Sequence, residues 1–257
     1  MRVLTRREER LLRLLRQRKH RETEGRFVAE GIRAVEDLLG SELSIDFVAA
    51  SSSAGDTPRG RALIHALLDH SVTLREVSEV ELRTLADTES PQGILAVGAV
   101  PEGGLARIRV EREPAVVLVV DAVQDPGNLG TLARTAEALG AAGLVCLPGT
   151  VDAWNPKSVR AAMGATFRLP VVDAAWDELA PWLEQNGFQV LASGTGGEAV
   201  PEPAPARTAL VVGNEGAGIS ADTRARAHRV VGIPLRGRAE SLNVAAAGAI
   251  LMHQLLR

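Results

Sequence analysis

Three polar segments, each emerging from an apolar run, carry the residues of this chain best suited to chemistry. The last is Gly232-Ile-Pro-Leu-Arg-Gly-Arg-Ala-Glu-Ser-Leu-Asn-Val-Ala-Ala-Ala-Gly248. It predicts a short strand, a polar loop and an Ala-rich helix beginning near Ser241. A loop entering a helix N-terminus presents free backbone N–H groups that can hold a ligand's polar atoms. Ser241 and Asn243 arrive at the same spot. The first segment is Asp121-Ala-Val-Gln-Asp-Pro-Gly-Asn-Leu-Gly-Thr-Leu-Ala-Arg134. Its Asp125-Pro-Gly-Asn is turn chemistry, and Asn128 can cap the helix that follows. Arg134 falls within that helix and, taken alone, reads as an ordinary exposed arginine. The second segment, Val212-Gly-Asn-Glu-Gly-Ala-Gly-Ile-Ser220, holds three glycines in six positions. Such a loop lets backbone approach a ligand closely, with a tight turn as the competing reading. A further glycine cluster is Ser193-Gly-Thr-Gly-Gly197. No Gly-Lys-Ser/Thr follows the glycines and the G-x-G-x-x-G spacing is absent, so a phosphate loop and a dinucleotide site are both disfavoured.

The elements that must position these loops alternate along the chain. In the first hundred residues the pattern predicts helices over 6–18, 31–39, 58–69 and 79–86, and strands over 26–30, 45–50, 72–77 and 93–97, with a charged stretch over 19–25. This suffices for a small α/β sandwich over residues 1–100. Pro, Gly and charge mark 101–114 as a linker. In residues 115–257, buried apolar strands over 115–121, 143–147, 188–192, 209–212 and 229–233 alternate with helices over 127–139, 156–163, 174–185, 220–226 and 241–256. That alternation implies a mostly parallel sheet covered on both faces, whose ligands bind beyond the carboxyl ends of the strands.

Composition narrows the class. The 257 residues are 46% hydrophobic with a single cysteine, so the chain fills a core without an intrachain disulfide, and Cys146 in an apolar run reads as a buried hydrophobe. The longest apolar run, Val244 to Met252, is far short of the ~20 residues that span a bilayer, and no signal segment is visible, so the cytoplasm is the expected location. The five histidines show no metal-ligand spacing. Residues 1–26 hold nine Arg and one Lys against four Glu, a balance of +6 that leaves −9 for the remainder. A basic head on an acidic body points to a polyanion. A solvated helix with Leu11, Leu12, Leu14 and Leu15 packed inward fits the same residues. Arg16, Arg18, Lys19, Arg21 and Arg26 are the candidates for nucleic-acid phosphate contacts.

Together, Asn128-x-Gly130-x-x-x-Arg134, Gly213-Asn-Glu-Gly216 with Gly218, and Ile233-Pro-x-x-Gly237-x-x-x-Ser241-Leu-Asn-Val244 resemble the three motifs of the SpoU/TrmH methyltransferases of the SPOUT superfamily, which methylate RNA ribose 2′-hydroxyls. Asn155-Pro-Lys157, Val159-Arg160, Met163-Gly-Ala165 and Leu169-Pro170 resemble the family's middle segment. Leu15-Arg-Gln-Arg-Lys-His-Arg21 and Gly25-Arg-Phe-Val-Ala-Glu-Gly31 are similar to a ribosomal-protein-like RNA substrate-binding domain found ahead of many such enzymes.

The resemblance implies an α/β domain with a deep trefoil knot, a feature general topology rules would not suggest. It also implies S-adenosylmethionine as methyl donor and a homodimer; from the histidine spacing and the short apolar run, no metal and no membrane are expected. Thr195, Gly196, Gly213, Asn214, Gly216, Ile233, Leu235, Ser241 and Leu242 are then the cofactor site, with backbone at Gly213, Ile233 and Leu242 on the adenine and ribose. Arg134, Ser241, Asn243, Glu215 and Asn128 are the catalytic group. Ribosomal RNA is favoured as substrate over transfer RNA. The alternatives are a non-catalytic RNA-binding or ribosome-assembly protein of the same fold, and a small-molecule α/β enzyme with a nucleotide cofactor. The glycine spacing and the basic head both disfavour the latter.

Overall fold

A computed structural model describes residues 2–257, which form two compact units: one running to Glu102 and joined by Trp154–Phe167, the other Gly103–Ala153 with Arg168–Arg257. In the first, the order is β1 (Arg2–Val3), α1 (Arg6–Leu14), α2 (Arg18–Glu24), β2 (Arg26–Glu30), α3 (Ile32–Leu39), β3 (Ile45–Ala50), α4 (Pro58–Asp69), β4 (Leu74–Glu76), α5 (Glu79–Leu85) and β5 (Ile94–Ala99). Their strands form one mixed sheet in the order β1-β4-β3-β5-β2.

The single helix expected over 6–18 is two. Thr5 caps α1 in a full capping box with Glu8. The helix stops at Leu14, and the stretch expected to be irregular folds as α2, closed by Gly25 in the left-handed region at φ 60°. Two short helices satisfy both the leucine stripe and that glycine stop. Period-two alternation along β2 divides the core. Phe27 and Ala29 lie in a cluster with Val35, Leu38, Leu63 and Leu67 from α3 and α4. The opposite face packs on Leu12, Leu15, Leu82 and Leu85.

The second unit's sequence runs β6 (Ala115–Asp121), α6 (Pro126–Leu139), β7 (Gly143–Cys146), α7 (Pro156–Ala162), α8 (Ala165–Arg168), β8 (Val171–Asp173), α9 (Trp176–Gln185), β9 (Gln189–Glu198), β10 (Arg207–Gly213), α10 (Ala221–Arg226), β11 (Arg229–Val231) and α11 (Val244–Leu256). Of these, α7 and most of α8 group with the first unit. Trp154 and Phe167 stack on Phe27 with ring centroids 4.6 and 5.5 Å apart, and Val159 joins that core.

The six strands order as β11-β9-β10-β6-β7-β8, all parallel, as unbroken apolar strands require. One face is a core of Val117, Val119, Val145, Leu179, Leu183 and Val211. On the other, α6 and α11 pack together, α11 onto β10 and β6 and α6 onto β7. Gly248 makes that approach close, because a side chain there would press on Leu132 of α6. Cys146 is a free, buried thiol. Two short elements, α8 and β8, were not expected. The glycine cluster 193–197, expected as a loop, lies within β9, which extends to Glu198; it forms the irregularity between Ala192, which pairs with Val230, and Glu198, which pairs with Val231. Among the described residues, no helix is long and apolar enough to cross a membrane.

Candidate active site

The chain runs from β6 to β7 on one side of the second sheet and reaches β10 on the other, so the carboxyl ends of β6 and β10 form the switch point where ligands of parallel sheets bind. Register places Asp121 directly beside Gly213, bringing the first two polar segments together although 92 positions separate them. Gly213 must be glycine, since a Cβ there would collide with the backbone of Gly218 and Ile219.

Each loop is braced by its own polar side chains. Asn214 closes the glycine loop: its Oδ1 accepts from the backbone N–H groups of Gly216 and Ala217, both at 2.9 Å, while its Nδ2 donates to Ala122 O at 2.8 Å. The chain turns at Ala122 with φ 58°, where Thr150 Oγ1 accepts from Ala122 N–H at 3.1 Å and donates to Val120 O at 2.9 Å.

The first helix expectation changes at its cap. Asp125, not Asn128, caps α6, accepting from Asn128 N–H at 2.8 Å. Asn128 lies inside the first turn, which frees its amide for other work. At the other helix, α11 starts at Val244 rather than near Ser241, because Asn243 Oδ1 caps it by accepting from Ala245 and Ala246 N–H at 2.9 and 3.3 Å. The two helix N-termini are then tied together. Asn243 Nδ2 donates to Asn128 Oδ1 at 2.9 Å, and Asn128 Nδ2 donates to Glu215 Oε1 at 2.9 Å. Glu215 also accepts from the N–H groups of Gln124 and Asp125, each at 3.3 Å. A carboxylate at a helix N-terminus suits the dipole there. Burial pushes the Glu215 carboxyl up, but the Asn128 amide and the backbone donors outweigh it and hold its pKa below the usual glutamate range.

Three of the five catalytic candidates, Asn128, Glu215 and Asn243, are therefore linked by direct hydrogen bonds. Arg134 is exposed on α6, about 9 Å along the axis from Asn128 at 1.5 Å per residue. Ser241 is exposed, and among the described residues its hydroxyl has no hydrogen-bond partner. Of the cofactor candidates, Thr195, Gly196, Gly216, Leu235 and Leu242 are exposed, Gly213 is buried and Asn214 and Ile233 are half-buried. Leu235 and Leu242 are 39% and 38% exposed, two large apolar side chains open at the loop edges. A groove of about 840 Å³ behind β11 reaches only Gly232 and Pro234 of this region, its other walls including Glu113, Glu202 and Leu255. It is therefore separate from the loop cluster.

A further set of residues braces the site without having been singled out. Asp121 is 4% exposed and Thr223 fully buried. Asp121 Oδ2 accepts from Ser220 N–H at 2.7 Å and from Thr223 Oγ1 at 2.6 Å, and Thr223 Oγ1 accepts from Trp176 Nε1 at 3.1 Å. A charged residue ending a fully apolar strand, and Ser-x-x-Thr at the start of α10, were the available signals.

The basic head divides. Arg21 is 3% exposed and donates to Leu15 O at 2.7 Å, so it braces the α1–α2 turn and leaves the set of phosphate contacts. Arg26 pairs with Asp46 at 2.5 Å, Arg18 with Glu22 at 2.7 Å, and Arg16 donates to Ala86 O at 2.5 Å. Lys19 is exposed.

Residues 115–253 match the SpoU rRNA Methylase family, and residues 10–96 an MRM3-like substrate binding domain. The chain is 36% identical to the 23S rRNA (guanosine(2553)-2′-O)-methyltransferase RlmP of Bacillus subtilis, over 94% of this chain and 92% of that protein. It is 29% identical to a 23S rRNA (uridine(2479)-2′-O)-methyltransferase of Streptomyces viridochromogenes, over 95% and 87%. Its fold superposes with a TM-score of 0.86 on the SpoU methyltransferase AviRb of Streptomyces viridochromogenes in complex with the cofactor AdoMet, at 27% identity over 98% of this chain and 97% of that one. An AdoMet-bound rRNA methyltransferase of Sinorhizobium meliloti superposes at 0.85, with 29% identity over 99% and 96%.

Proposed function

The chain belongs to the SpoU rRNA methylase family, and from that premise we propose that it methylates a ribose 2′-hydroxyl of ribosomal RNA. It is an S-adenosylmethionine-dependent RNA methyltransferase. The observation that carries the assignment of the site is the relay from Asn243 through Asn128 to Glu215, which fastens three distant loops into one polar cluster at the switch point. Backbone at Gly213, Ile233 and Leu242, with Thr195, Gly196, Asn214, Gly216, Leu235 and Ser241 around it, holds the cofactor. The open apolar side chains of Leu235 and Leu242 suit the faces of its adenine.

When bound, S-adenosylmethionine would supply a sulfonium methyl group whose transfer to the 2′-oxygen breaks the S–CH3 bond, leaves S-adenosylhomocysteine and releases the hydroxyl proton to solvent, so this chain's residues have to align the two reactants. Arg134 anchors the phosphate next to the target ribose rather than removing that proton, because a guanidinium does not titrate in proteins. Glu215 is a brace, not a base: its oxygens are occupied by N–H donors and its pKa is lowered. Asn243 has its carbonyl committed to the helix cap and an amide hydrogen to Asn128, so it acts as a positioning residue. Ser241 has an uncommitted hydroxyl and orients the target 2′-hydroxyl.

The enzyme works as a homodimer in the cytoplasm. In support of a second copy, Ala246 and Ile250 are exposed one turn apart on α11, with Leu242 exposed just ahead of its cap, an apolar strip beside a helix whose other side is core. The knot implied by the family belongs to the segment containing β9 to α11. The substrate-binding unit extends over 1–100 and the catalytic domain over 115–257, with Trp154–Phe167 lent to the first unit's core. Arg16, Arg18, Lys19 and Arg26 supply phosphate contacts from the basic head.

The test is transfer of labelled methyl from S-adenosylmethionine to ribosomal RNA, followed by base-resolution mapping of 2′-O-methylation. Calorimetry that detects no cofactor uptake by folded protein removes the assignment. A bound cofactor without transfer to any RNA returns the chain to a non-catalytic RNA-binding role.

A further inference from the structure

The loop joining β11 to α11 is exposed from Pro234 to Asn243. It carries Arg236 and Arg238 on either side of Gly237. Among the described residues neither guanidinium has an ion-pair or hydrogen-bond partner, and neither does the carboxylate of Glu240 in the same loop. Elsewhere in this unit Arg168, Arg207, Arg226, Arg229 and Arg257 each lie within 4.0 Å of a carboxylate. Two unneutralised guanidiniums held two residues apart, in a part of the chain whose net charge is negative, repel one another unless an anion joins them.

We propose that Arg236 and Arg238 form a phosphate clamp that grips the RNA backbone flanking the target nucleotide. This rests on the RNA methyltransferase reading and adds to it a substrate contact outside the three motifs' shared residues. Location supports it: the loop carries Ser241, and its end is tied by Asn243 to Asn128 at 2.9 Å, so a strand gripped here lies beside the proposed reaction centre. Chemistry supports it, because the planar guanidinium fork matches phosphate oxygens through paired N–H donors. Steric freedom supports it as well. A Cβ at Gly237 would meet nothing within 4 Å, so that glycine serves no close packing and leaves the loop able to fold over a strand.

The competing anion is the carboxylate of the cofactor's methionine moiety. A single carboxylate is satisfied by one guanidinium and leaves the second unmatched, which favours a polyanion.

The full-length protein and its R236Q/R238Q variant are compared for S-adenosylmethionine binding by calorimetry and for ribosomal RNA binding across a salt series. The proposal expects an unchanged cofactor Kd, a KM for RNA raised by roughly an order of magnitude, and a salt slope flattened by about 1.4, at about 0.7 per phosphate of a single strand. R236K/R238K keeps the charge and restores most of the slope. An unchanged slope and KM overturn the clamp. A weakened cofactor Kd with an unchanged RNA slope overturns it too and gives the arginines to the cofactor carboxylate. Failure of the wild-type protein to methylate RNA strikes the parent reading instead, and is visible in the same assay.

Discussion

Glu215 joins three donors drawn from a loop 90 positions earlier in the chain, and its behaviour with pH follows from them. Its folded pKa is lowered, so the loop-bracing contribution is complete above the unfolded glutamate pKa and fades only as pH falls through the lower folded value. Cofactor affinity of the wild-type protein is therefore expected to hold through the mildly acidic range and to weaken only below the usual glutamate range. Glu215→Gln offers one acceptor and one donor where three donors converge, so it weakens cofactor binding at neutral pH. A titration of Kd against pH for both proteins checks this, and identical profiles would detach Glu215 from the loop. Arg134→Ala separates two roles differently. It is expected to abolish methyl transfer and leave calorimetric cofactor binding intact, whereas full activity would remove Arg134 from the reaction.

Among the elements, the link between β6 and α10 is the one whose loss should propagate to the site. Thr223→Val keeps the side-chain shape and deletes the hydroxyl that donates to Asp121 and accepts from Trp176. A buried carboxylate then loses a donor, at a cost of about 1–3 kcal/mol readable in urea unfolding, together with weaker cofactor binding because Ser220 ends the glycine loop. Thr223→Ser restores the hydroxyl and is expected to recover most of both. Equal loss in the two variants would show that the methyl group, not the hydrogen bond, matters. Gly213→Ala acts at the same place by steric means. Its Cβ collides with the Gly218–Ile219 backbone, so the loop opens and cofactor binding falls.

At the scale of the molecule, the division of the chain does not follow its order. Trp154, Val159 and Phe167 belong to the core around Phe27, so residues 1–102 alone lack part of their own interior. Trp154→Ala is expected to destabilise the first unit by about 3–5 kcal/mol, seen as a lowered urea midpoint, and a truncated chain ending at Glu102 is expected to bind apolar dye. Native-like unfolding of that truncated chain would show the segment to be dispensable. The basic head is tested by charge removal. Neutralising Arg16, Arg18, Lys19 and Arg26 is expected to weaken binding to all RNAs alike and to flatten the salt dependence. Arg21→Gln, by contrast, is expected to lower stability, since its guanidinium holds the α1–α2 turn from inside.

Local patterns carried much of this protein in one dimension. Unbroken apolar runs such as Ala115–Asp121 required a doubly covered parallel sheet, and residue types at fixed spacing marked Asn128, Arg134, Gly213, Glu215, Ser241 and Asn243. Three things depended on the folded chain. Which residue caps each helix was decided by competition for N–H groups, so Asp125 took the role expected of Asn128 and left its amide to bridge Glu215 and Asn243. Whether a charge faces water was decided by packing, which buried Arg21 while leaving Lys19 outside. The pairing of Asp121 with Ser220 and Thr223 spans about a hundred positions and leaves no periodic trace. Periodicity reports which face of an element is apolar; only the register of strands far apart in sequence decides which polar ends meet.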